Sequence, residues 1–119
     1  MNVDQARAAI LAAVPRGFER TAAAYIADRC FAPGDILSLD RQPFTVDREI
    51  HFGFIDLEAA RNWAHACMCV LCNCADHGIE IRPLSFPPEL GGDRRLVVIA
   101  VGNVKRVFEL TVIESLLLF

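Results

Sequence analysis

Proline and glycine divide this chain into short pieces, and that division bounds what it can build. Pro15, Pro33-Gly34, Gly78, Pro87-Pro88, Gly91-Gly92 and Gly102 each mark a place where a helix or strand stops or turns. Between the first two breaks the residues are helix formers. "VDQARAAILAAV", residues 3 to 14, is alanine-rich with apolar residues at helical spacing, which predicts a first helix ending at Pro15. From about Arg16 to Cys30, Phe18, Ala22, Tyr25, Ile26 and Cys30 recur at three- and four-residue steps, which predicts a second. Together they would form a helical hairpin over residues 1–31, closed by the turn "APGD".

The period then changes. In "FTVDREIHFGFID", Phe44, Val46, Ile50, Phe52 and Phe54 share one parity while Thr45, Asp47, Glu49 and His51 share the other, the mark of a strand with one wet face. Next, "DLEAARNWAHACMCVLCNCADHG" offers Asp56 as an N-cap, Glu58 in a first turn and Gly78 as a C-terminal stop, so a central helix is expected over 57–77. "IEIRPLSF" predicts a short strand. "LVVIAV" and "VKRVFELTVIE" flank the turn pair Gly102-Asn103 and predict a hairpin. The expected fold is therefore α+β in one domain, 1–119: the helical hairpin, then β-α-β-β-β over 44–119 with a mostly antiparallel sheet covered by helices on one face.

Composition narrows the function classes. The 119 residues are 54% hydrophobic and 23% charged, with a formal net charge of −3. The arginines are scattered, so the clustered positive charge that a nucleic-acid surface needs is missing. No apolar run approaches the roughly 18 residues that span a bilayer, and the start reads as a helix rather than a signal peptide. The five cysteines are odd in number, and four crowd between Cys67 and Cys74. That layout suits reduced thiols in the cytoplasm better than a disulfide framework.

The stretch "HACMCVLCNCADH", His65 to His77, is the concentration of chemistry. On a helix at about 100° per residue, Cys67 and Cys74 would fall on the buried stripe with Ala60, Trp63, Ala64 and Leu71. His65, Cys69 and Cys72 would share the polar face at i, i+4, i+7, a spacing at which they can reach one ion. Zinc needs four tetrahedral ligands and one straight helix cannot supply them, so His51 or a second subunit would complete such a site. "CVLC" also has redox spacing but lies far from a helix N-terminus, where the dipole would activate a thiol. His51, His65 and His77 are the available bases for a thiol enzyme built on Cys69 or Cys72, and no catalytic set is evident around them.

These residues support three expectations. The first is a small protein-binding factor of inhibitor, immunity or accessory type with no cofactor, a homodimer whose apolar tail Leu116, Leu117, Leu118 and Phe119 either docks internally or forms the interface. The second is a zinc-binding module at His65, Cys69 and Cys72. The third is a thiol-dependent enzyme.

Overall fold

Asn2 opens the one helix found among the described residues, which in this computed structural model are 1–59, 66–102 and 104. Its side chain accepts from the Gln5 N–H while the Gln5 side chain accepts from the Asn2 N–H, a reciprocal capping box. Helix α1 (Val3–Ala13) follows, burying Ala6, Ile10 and Leu11, and Val14 turns extended as a residue before proline must.

The second helix of the expected hairpin does not form. Residues Ala23–Ala27 are instead strand β1. Ala22, Ala24 and Ile26 pack into the core on one side and Ala27, with Tyr25, into the core on the other. A strand buried on both faces has no polar row to reveal its period of two, and alanine's helix propensity then misleads. The chain continues as a small hairpin of β2 (Ile36–Leu39) and β3 (Gln42–Thr45). Asp40 and Arg41 join them with φ of 50° and 63°, the left-handed pair of a two-residue hairpin turn.

Strands β4 (Ile50–Asp56), β5 (Cys67–Asn73), β6 (Ile79–Leu84) and β7 (Leu96–Val101) complete a five-stranded sheet in the order β6-β5-β4-β1-β7, antiparallel throughout. The expected central helix over 57–77 is thus overturned where it matters most, because its cysteine-rich half is β5 at the heart of the sheet. Asp56 does act as a local cap, its carboxylate accepting the Glu58 N–H, whereas residues 60–65 of the expected helix lie outside the described residues. The β5 sequence alternates between two cores and is apolar toward both, so again no wet face betrays the strand.

The architecture is predominantly β. Helix α1 covers one face of the sheet, over Ile26, Ile55, Val70 and Cys72. The β2–β3 hairpin, with Phe31, Val46 and Leu90, covers the other, over Phe52, Phe54, Cys67, Cys69 and Leu71. Gly53 lets the helix sit close, since a Cβ there would come within 2.5 Å of two Ile10 side-chain carbons. Past β7 the Gly102 and Val104 N–H groups donate to the Ala22 and Glu19 carbonyls. Gly102 and Val104 thus lie alongside the residues before β1, while Asn103 and the second strand of the expected hairpin lie outside the described residues. Residues 105–119, including Leu116, Leu117, Leu118 and Phe119, lie outside the described residues. Among the described residues no helix is long and apolar enough to cross a membrane.

Candidate metal centre

The sheet register gathers ligand-type side chains at one end of β4, on the face that carries α1. Phe31 and Ile50 exchange both backbone hydrogen bonds, at 2.9 and 3.0 Å, which sets Cys30 beside His51 on the β1 side. On the β5 side His51 lies opposite Cys72, and one step beyond the strand the Cys74 N–H donates to the Glu49 carbonyl at 3.1 Å. Because opposed residues of an antiparallel pair project to the same face, His51, Cys72, Glu49 and Cys74 share a face, with Cys30 joining from the other flank of β4.

Within this group Cys30 Sγ, a His51 ring nitrogen and Cys74 Sγ all lie within 4.8 Å of one another. His51 is the single buried polar side chain of the described core, at 9% exposure, while both cysteines are half-buried. The ring is held by its own contacts. Its Nε2 lies 3.3 Å from the Met1 carbonyl, and a carbonyl can only accept, so this nitrogen carries the proton. In the tautomer that carries this proton Nδ1 has the lone pair, and it is the one nearer Cys30 Sγ, at 3.4 Å against 3.7 Å. A ligating histidine characteristically has this arrangement, one nitrogen donating to a carbonyl and the other free for a metal. The Met1 amino group also donates to the Cys74 carbonyl, tying the approach to α1 to the same corner.

Two alternatives to metal ligation meet physical obstacles. Cys30 and Cys74 flank β4, so their backbones are about two strand spacings, roughly 10 Å, apart; a disulfide reaches only about 7 Å between Cα atoms. A tetrahedral zinc, with bonds of about 2.3 Å to sulfur and 2.0 Å to nitrogen, spans such a gap by holding its ligand atoms roughly 3.5–3.8 Å apart. As nucleophiles Cys74, Cys69 and Cys72 are poorly prepared. Burial, followed by the neighbouring Cys30 and Glu49, pushes the Cys74 thiol up to about 11. Burial does the same to Cys69 and Cys72, also to about 11, so neither presents a thiolate near neutral pH.

The residues singled out from the sequence are distributed differently from the helical expectation. Cys69 belongs to the core under the β2–β3 hairpin and Cys72 to the core under α1, so the two project from opposite faces of β5 and are not brought to one ion. His65 lies outside the described residues. His77 is exposed in the β5–β6 turn, with a left-handed φ of 61°. His51, placed on a wet strand face by its parity, is covered because α1 packs on that face. Cys30 stands 21 residues from His51, beyond the reach of any spacing rule, and Cys74 belongs to a buried stripe only if its segment is a helix.

A cavity of about 480 Å³ opens on the opposite face of this sheet end. Its arginines are already engaged, Arg48 with Asp47 at 3.4 Å and Arg82 with Glu80 at 3.3 Å, so it offers a ligand little free charge. Comparison with known proteins finds no family model, no curated protein and no solved structure that matches this chain.

Proposed function

We propose that this protein binds one transition-metal ion of the zinc class through Cys30, His51 and Cys74. The observation that carries the reading is the convergence of three ligand atoms within 4.8 Å from three separate segments, around a histidine whose second nitrogen is committed to a carbonyl. Two thiolates and an imidazole are soft-to-borderline donors, which favour zinc over magnesium or calcium. Such an ion joins the end of β1, the start of β4 and the turn after β5, a position suited to a structural role. Protein purified without chelator is expected to carry close to one zinc per chain by elemental mass spectrometry, and the Cys30→Ser/Cys74→Ser variant close to none. A wild-type chain that takes up neither zinc nor cobalt under reducing conditions would end this reading.

A second reading, a protein-binding role with self-association, is favoured by Ile79 and Ile81. They are 43% and 48% exposed, on the face of β6 that lies alongside the α1-covered core. Sedimentation of the full chain tests it, since a monomer at high concentration speaks against a homodimer.

A further inference from the structure

We propose that the Glu49 carboxylate supplies the fourth ligand, giving a Cys30–His51–Cys74–Glu49 donor set; the inference rests on the metal reading above. A tetrahedral ion held by three protein atoms leaves one position, and the register brings two further donors to this corner. One is Cys72, directly opposite His51. It is wholly buried among the apolar side chains beneath α1; neither it nor the other donor, Glu49, belongs to the trio whose ligand atoms lie within 4.8 Å of one another. Reaching the ion would pull it out of a packed core, at the usual cost of a cavity.

Glu49 has the opposite situation. It is exposed, it shares a sheet face with His51, it pairs through its backbone with Cys74, and its carboxylate contributes to pushing the Cys74 thiol up. When an ion binds, that thiol gives its proton to solvent and forms the sulfur–metal bond. The Glu49 carboxylate, on the residue paired with Cys74, then stands beside a cation. Rotation of this exposed side chain completes the tetrahedron without disturbing either core. The resulting site is backed by the sheet and α1, with its thiolates half-buried, and meets solvent at a carboxylate, so ion exchange would proceed through Glu49.

Cobalt(II) titration of the reduced full chain, followed by thiolate charge-transfer and d–d absorption, tests this against Glu49→Gln and Cys72→Ala. The expected wild-type spectrum is tetrahedral with two thiolates. Glu49→Gln should bind cobalt at least tenfold more weakly, the order seen when even an outer partner of a ligand is lost. Its d–d bands should weaken as water enters, with thiolate charge transfer unchanged per bound ion. Cys72→Ala should leave the cobalt spectrum as it is. The proposal is overturned if Glu49→Gln matches wild type in affinity and d–d spectrum, or if Cys72→Ala removes a third of the thiolate intensity. Failure of the wild-type chain to bind cobalt would instead remove the metal reading beneath it. Glu49 is a surface residue, so circular dichroism of its variant is expected to remain that of the wild-type sheet.

Discussion

Five cysteines of identical chemistry take different parts here according to where the backbone puts them. Cys67 and Cys69 fill the core beneath the β2–β3 hairpin, Cys72 fills the core beneath α1, and Cys30 and Cys74 meet at the half-buried corner with His51. Their reactivities should follow. In reduced protein stripped of metal, Cys69 and Cys72 are expected to resist iodoacetamide at pH 7.5 until the chain unfolds. Cys74 should be alkylated slowly at that pH, and its rate should climb about tenfold per pH unit toward its raised pKa of about 11. Adding zinc should protect Cys30 and Cys74 together. Peptide mapping by mass spectrometry reads all of these sites, and rapid labelling of Cys72 before Cys74 would contradict the placement.

At the scale of elements, the corner depends on how closely α1 lies on the sheet. Gly53 occupies the middle of β4 on the same face as His51, two residues away, and the space a Cβ would need is taken by Ile10. Glycine in a strand is otherwise unfavourable, so its presence here reflects the close approach of the helix. Gly53→Ala is expected to destabilise the fold by about 1–3 kcal/mol through overpacking. In an Ile10→Ala background the same substitution should cost far less, because the obstructing carbons are gone. Denaturant unfolding of the four proteins of this cycle measures the coupling. Additive losses would mean that the helix does not rest on Gly53.

For the whole molecule, a sheet covered on both faces makes stability sensitive to alkali. The Cys67, Cys69 and Cys72 thiols are raised from 9.0 to about 11, chiefly by burial. Between those values the unfolded chain releases protons that the folded chain retains, so stability should be steady below about pH 9 and fall as pH rises toward 11. A metal acts in the other direction. If the proposed site binds zinc, free zinc at a hundred times its Kd should add about 2.7 kcal/mol to the folded state. At roughly 4 °C per kcal/mol for a domain of this size, that is a rise in Tm of about 10 °C, reversed by a chelator. Thermal scans across pH, with and without zinc, measure both.

The sequence by itself determined the elements that keep a local signature. These are α1, expected over residues 3 to 14 and found at Val3–Ala13, the parity of Ile50, Phe52 and Phe54 in β4, the strands β6 and β7, and His51 as a ligand candidate. It did not distinguish β1 and β5 from helices. Both run through the sheet interior with apolar side chains on either face, and alanine and cysteine are too small and too neutral to mark a period. Nor could it assemble Cys30, His51 and Cys74, which no spacing rule connects. Only the tertiary structure decided that site, because antiparallel register, a long-range property of backbone hydrogen bonding across three strands, sets which distant residues stand side by side.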